Sequence, residues 1–389
     1  MNERLANALA AVLFTGILTS WASGYWPVAL VQTCAFLLTA AWLVWMLSLR
    51  KRVSLELAFF PLAAIAAGGV AQLAAGATVY PSETVKAVLY WTAGASIFLL
   101  GSGVCMAARA RNRLLRGVMW FGFVVSLVVT VQYFTSGGRV FWLFPAAQVR
   151  VLGPFLYKNQ CAAFVELVFP IAVYQSLIDR RHSPLYLAMA ATMFAAAITA
   201  ASRAGLVLVV SELAAILILA RTSGRVSSAT LGRATLRLGA VGLALAGVVG
   251  GEVTLEKFRE PQPYRVRREL LFSSLHMIRD RPWTGFGLGT WPTVYPAYAR
   301  FDNGLAANHA HNDWAEWAAE GGLPLIALMA LVGLWSIRPA ADSLWGIGVP
   351  AVFAHSLVDY PLREPALAAL MFAIMGALAA RASQLSRAR

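Results

Sequence analysis

Residues 308–335 read NHAHNDWAEWAAEGGLPLIALMALVGLW. Two histidines, two asparagines, an aspartate and two glutamates stand directly before an apolar run suited to lipid. Proton-transfer chemistry is gathered at the mouth of a membrane segment, and the rest of the chain repeats that contrast. Of 389 residues, 59% are hydrophobic and 13% charged. Soluble domains carry about a quarter charged residues, so the composition predicts an all-α polytopic membrane protein.

A helix crossing the hydrocarbon core needs roughly 20 apolar residues. Candidate spans fall near 5–22, 25–47, 55–77, 84–108, 115–134, 160–178, 184–201, 203–220, 232–251, 321–337, 342–358 and 364–381, twelve in all. MNER before the first apolar run gives it some likeness to a signal peptide. Nine spans in 1–251, an outer loop over 252–310 and three spans in 311–389 make one membrane domain. With the N-terminus inside, the cytoplasmic segments hold 18 Lys and Arg and the short outer loops 6; the other eight lie in 252–310. Because positive loops stay inside, this split sets the orientation. It also accounts for the net charge of +14 without nucleic acid, for which a basic stripe with interleaved aromatics is missing. The three cysteines, Cys34, Cys105 and Cys161, lie in apolar runs without paired spacing and read as small core residues.

In that orientation every unusual polar cluster lands on one side. RVLGPFLYKNQCAAF (150–164) follows span five, ASRAG (201–205) joins spans seven and eight, and the long loop ends in NHAHND (308–313). HSLVDYPLRE (355–364) forms the last outer turn. Within the long loop, RRELLFSSLHMIRD (267–280) spaces Leu270, Leu271, Leu275 and Ile278 as one helical face, which predicts a short helix along the membrane surface. GFGLG (285–289) lacks the preceding strand of a dinucleotide site. Arginine is permanently charged and its planar fork grips phosphate oxygens. Histidine can take a proton from a hydroxyl near neutrality. Together they suit a phosphate-bearing substrate at the outer membrane–water boundary.

The motifs R-x-x-G-x-F-x-x-x-N-x-x-A from Arg150, S-R at Ser202–Arg203, D-x-P-x-x-G-x-G-x-G-T from Asp280 to Thr290, and H-N followed by E-G at Glu320 occur in that order. The chain resembles the O-antigen ligase/Wzy polymerase superfamily over roughly 140–370. The resemblance implies a GT-C-like glycosyltransferase of the bacterial inner membrane. Such an enzyme moves a glycan from undecaprenyl pyrophosphate to an acceptor glycan or lipid A core on the periplasmic side, without metal or other cofactor. Ligase, polymerase and protein oligosaccharyltransferase all remain open. The alternative is a polysaccharide transporter or flippase, which would put its polar groups near the midplane.

His311 matches the family's histidine and is expected to be the general base, on a helix face shared with Trp314, Ala315 and Ala318. Arg150, Arg203 and Arg267 are the pyrophosphate candidates. Asn159, Asn312, Glu320, His355 and Asp359 are supporting residues, and Tyr157 stands where the family has its first asparagine. His355, Asp359 and Arg363 fall at i, i+4 and i+8, a possible charged ladder that Pro361 interrupts. His309, His311 and Asp313 could suggest a metal, but no nearby Cys or third His completes a site, although His355 could come close in space, and His309 reads as a loop residue. Glu166 and Glu212 sit within spans, where an acid needs a partner or a proton.

Overall fold

The computed structural model describes residues 1–146, 149–224, 226, 265–300, 304 and 306–388, with scattered positions between 232 and 247. The helices are α1 (Asn2–Thr19), α2 (Trp26–Ser48), α3 (Phe59–Ala74), α4 (Pro81–Cys105), α5 (Ala108–Thr135), α6 (Lys158–Ile178), α7 (Ser183–Ala200) and α8 (Arg203–Thr222). They continue with α9 (Arg265–Asp280), the single turn α10 (Trp291–Val294), α11 (Asp313–Asp342), α12 (Gly348–His355) and α13 (Pro365–Ala388). A two-residue hairpin, Arg139–Val140 with Phe144–Pro145, follows α5.

Eight of these helices, α2, α4, α5, α6, α7, α8, α11 and α13, are long and apolar enough to cross a membrane. The chain is an all-α, multi-pass membrane protein. The expected count of twelve is not reached among the described residues. The ninth span, 232–251, and the loop 252–264 lie largely or wholly outside them. Span three is a helix of 16 residues, about 24 Å at ~1.5 Å per residue against a core of ~30 Å. The run 342–358 is no single span: Ser343 leaves helical geometry, 344–346 is a 3-10 turn, and α12 has only eight residues.

The core is set by close backbone approach. A Cβ on Gly94 would meet the Phe372 ring at 2.6 Å, and one on Gly376 would meet the Phe98 carbonyl at 2.6 Å, so α13 lies tightly on α4. α6 is buried nearly all round, whereas α2, α5 and α8 leave Leu37, Val44, Val124, Val131 and Ile218 exposed, as lipid-facing surfaces do. In α9 the buried face is Leu270, Ser273, Ser274 and Met277. Of the expected face, Leu270 is buried, Leu271 and Ile278 are half-buried and Leu275 is exposed; the Trp291 indole docks beside it, donating to Ser274 Oγ at 2.9 Å.

The apolar run of α11 begins at a break. Gly322 takes φ +70° and ψ −169° within the helix. Pro324 has no N–H to offer the Glu320 carbonyl one turn earlier. That carbonyl instead accepts from Gly287 N at 3.0 Å and from Gln72 Nε2 at 2.9 Å. The Ala319 carbonyl accepts from Phe286 N at 2.9 Å, and Leu323 N donates to Pro282 O at 2.7 Å. The loop 282–290 is therefore stitched into the break, which explains GFGLG: a Cβ on Gly285 would lie 2.2 Å from the Glu320 carbonyl carbon, and one on Gly287 would lie 2.1 Å from Thr78 Oγ1.

Candidate active site

Asn312 begins the construction. Its Oδ1 accepts from Ala315 N at 2.9 Å, capping α11, and its Nδ2 donates to Leu357 O at 2.8 Å. Asp313 N donates to Ser356 O at 2.9 Å and to Asp359 O at 3.1 Å. Asp313 Oδ2 accepts from Ser356 Oγ at 2.9 Å and Leu362 N at 3.1 Å. The start of α11 and the turn 356–364 thus form one block, and Asn312 acts in it through the cap.

His311 lies just before that cap, outside the helix, so it does not share a helical face with Ala315 and Ala318. Its φ of +52° is a left-handed conformation, which costs a non-glycine residue about 1–3 kcal/mol and clusters at functional positions. The ring is 27% exposed, and its Nδ1 lies 3.7 Å from Asp359 Oδ1, an ion-pair distance longer than a hydrogen bond. The edges of Tyr157 and Tyr360 pack on it, with centroids 5.9 and 4.9 Å away.

Asp359 is the hub. Its Oδ2 accepts from Arg267 Nη2 at 2.7 Å and, more closely still, from Asn159 Nδ2; its Oδ1 accepts from Tyr360 N at 2.9 Å. Arg267 also donates to Val358 O at 2.7 Å and to Tyr157 OH at 3.3 Å. Burial pushes the Asp359 carboxyl up, but the adjacent His311 ring and Arg267 guanidinium outweigh it and hold the group below its ordinary value. Burial, with Asp359 beside it, pushes the Tyr157 hydroxyl up to about 12, so it stays protonated.

Behind this hub Arg203 and Arg267 line one cavity of about 130 Å³ with Lys158, Tyr157, Asn159 and Ser202. Lys158 opens α6 and Arg203 opens α8. Ala201 at φ +50° turns the chain sharply between α7 and α8, and Ser202 Oγ accepts from Gly205 N at 3.2 Å as the α8 cap. A Cβ on Gly205 would meet Ala162 at 2.3 Å, so the two helices start side by side. Two positive helix ends and three cations face the same space, a favourable setting for an anion. Arg150 is not part of it. It donates to Tyr133 OH at 2.8 Å, its guanidinium 5.2 Å from that ring.

On the other side of the hub is a cavity of about 870 Å³, lined by His309, His311, Tyr360, Asn308, Arg300 and Tyr295 among others. His309 stacks on Tyr360 at 4.3 Å, and its Nδ1 lies 3.0 Å from Glu316 Oε1. Glu316 Oε2 accepts from Ala310 N at 2.8 Å. His309 is therefore held, not merely a loop residue. Arg363 lies 3.7 Å from Asp313, 3.2 Å from Glu316 and 2.9 Å from Glu320, one guanidinium for three buried carboxyls. Glu320 Oε1 also accepts from Trp291 N at 3.3 Å, so Glu320 anchors the start of α10.

The ladder of His355, Asp359 and Arg363 does not form, because the helix ends at His355 and 361–363 is a 3-10 turn. His355 is inaccessible. Its Nδ1 lies 2.7 Å from Glu166 Oε1 in the interior, and its carbonyl accepts from Asp359 N at 3.0 Å, supporting the turn from below. Glu212 is buried with neither carboxyl oxygen hydrogen-bonded. Among the described residues, no group of three or more His, Cys, Asp or Glu could hold a metal ion. Sequence reasoning missed the role of Glu316. Its i+7 spacing from His309 hides the contact, because the chain between them is not helical throughout.

Residues 188–330 match the Wzy_C family model, O-Antigen ligase. No curated protein matches the chain.

Proposed function

Residues 188–330 make the chain a member of the O-antigen ligase family, and from that premise we propose a membrane glycosyltransferase that moves a glycan from undecaprenyl pyrophosphate to an acceptor hydroxyl at the periplasmic face of the bacterial inner membrane. The observation that carries the proposal is a pair of cavities joined by direct side-chain contacts. Arg203, Arg267 and Lys158 line the smaller, His311 the larger, and Asp359 and Tyr157 stand between.

The donor diphosphate occupies the basic cavity, and the acceptor glycan or lipid A core enters the larger one. His311 takes the proton of the acceptor hydroxyl as its oxygen bonds to the anomeric carbon. The bond from that carbon to the phosphate oxygen breaks, and the lipid pyrophosphate leaves with its electron pair. The arginines stabilise the charge as it gathers there, and no cofactor is needed. One displacement inverts the anomeric centre. Arg267 has a further job on this reading: its fork joins the leaving-group side to Asp359, which faces the base. Arg150 has no place in the donor pocket, and Lys158 takes its share of charge.

The test is purified protein with a lipid-pyrophosphate oligosaccharide and candidate acceptors. A ladder of products indicates polymerisation, and a single addition to lipid A core indicates ligation. The expected result is transfer by the parent protein and at least a ~10²-fold loss in His311→Ala, the lower range for a general base. Near-parental turnover in that variant would remove His311 from the role. EDTA is expected to leave the rate unchanged.

A further inference from the structure

At the opposite end of the bundle lies a second charged site that the transfer reaction does not use. α4 begins beside the active-site loops, where Thr84 Oγ1 donates to Leu288 O at 3.0 Å and Tyr90 OH to Leu362 O at 2.5 Å. At its far end Ser102, Gly103 and Met106 line a cavity of about 260 Å³. The rest of the lining divides by chemistry. Lys51, Arg52 and Arg387 supply three cations, Trp42, Trp45 and Met46 an apolar floor, and Asn2 and Ser54 polar atoms.

The local backbone builds this arrangement. α2 ends with Arg50 at φ +51°, and Lys51 N donates back to Met46 O at 3.0 Å while Arg50 N donates to Leu47 O at 2.9 Å. That closure bends the chain over the end of the helix, which places Lys51 and Arg52 above the tryptophans of the same helix. A left-handed arginine is unfavourable, so the fold holds the turn against a local penalty. Gly103 leaves the room for Trp42, whose ring would lie 2.1 Å from a Cβ there. Arg387 arrives from α13. None of the three cations has a carboxylate within 4.0 Å among the described residues. Glu56 lines the cavity too; burial raises its carboxyl above the ordinary value, while Ser54 and the nearby Arg387 lower it. Asn2 Oδ1 is buried without a hydrogen-bond partner.

We propose that this cavity binds the phosphate headgroup of an anionic phospholipid, with Lys51, Arg52 and Arg387 around the phosphate and an acyl chain against Trp42, Trp45 and Met46. Cations without a close ion pair over an aromatic floor at the end of a membrane bundle suit a ligand that is charged at one end and apolar along its length. A solvated basic loop would need neither the strained turn nor the fitted indole.

The test uses the full chain in detergent, read by native mass spectrometry and thermal stability, with added phosphatidylglycerol, phosphatidylcholine or inorganic phosphate. One phosphatidylglycerol adduct is expected at a concentration about tenfold below that needed for phosphatidylcholine, with a rise in melting temperature. Lys51→Gln/Arg52→Gln/Arg387→Gln should lose that preference, and Arg180→Gln/Arg181→Gln, a basic pair elsewhere, should keep it. Arg387→Gln alone, at an exposed position, should lower it and guards against misfolding of the triple variant. Equal adducts in parent and triple variant would overturn the site. Stabilisation by inorganic phosphate equal to that by phosphatidylglycerol would overturn the lipid as its ligand.

Discussion

Arg267 meets Val358 O, Tyr157 OH and Asp359 with one planar group. A lysine keeps the charge but cannot span three acceptors. Arg267→Lys is therefore expected to lose most transfer activity, nearly as much as Arg267→Gln, whereas Arg150→Gln should fall within a few-fold of the parent; initial rates at saturating acceptor decide it. Glu364 offers a pH test. Burial pushes its carboxyl up to about 7, so ionisation above neutrality costs the folded state and protonation relieves it. Glu364→Gln should raise the melting temperature at pH 8 and lose that advantage as the pH falls through 7 towards 4.5. The opposite trend would show a carboxylate stabilised by its surroundings. Asp359 carries the other sign: its depressed value keeps the Arg267 pair intact until the pH drops below the ordinary carboxylate range. At this scale the sequence singled out His311, Arg203 and Arg267, because their motifs are local. It could not show that Glu316 holds His309, or that Arg363 collects Asp313, Glu316 and Glu320 across some fifty residues of chain.

The broken helix α11 is the element on which the outer loop rests. Gly285→Ala puts a Cβ against the Glu320 backbone at φ +61°, whereas Gly76→Ala, at a similar φ of +62°, meets open space. Both pay the left-handed penalty of about 1 kcal/mol; only the first also displaces the loop. Gly285→Ala should lower thermal stability by several degrees more than Gly76→Ala and reduce activity with it. Equal effects would mean that the seam between loop and helix contributes little. Helical spans were legible from apolar run length in α2, α4 to α8 and α13. The run at 321–337 was legible too, but not its start at Asp313, because the polar turn DWAEWAAE hides a buried helix. The run at 342–358 misled for the reverse reason: it is apolar throughout, yet Ser343 and the 3-10 turn divide it.

For the whole molecule, the proposed orientation rests on the distribution of Lys and Arg, and it assigns a side to each end of the bundle. Single cysteines at Asn308 and Arg116, in a background lacking Cys34, Cys105 and Cys161, should separate them. The first is expected to react with an impermeant maleimide added to intact spheroplasts, the second only after lysis. Labelling in the reverse order would put the proposed transfer site on the wrong side for a lipid-linked donor that has already been flipped.

The grouping of Arg363 with three carboxyls has a further consequence for that site. Glu316, which holds His309, shares the Arg363 guanidinium with Asp313 and Glu320, while the pocket across Asp359 carries Lys158, Arg203 and Arg267. On the proposed reading the basic pocket draws the donor diphosphate, so the site is keyed like a polarised plug. A donor seated that way leaves the opposite chamber to the acceptor sugar.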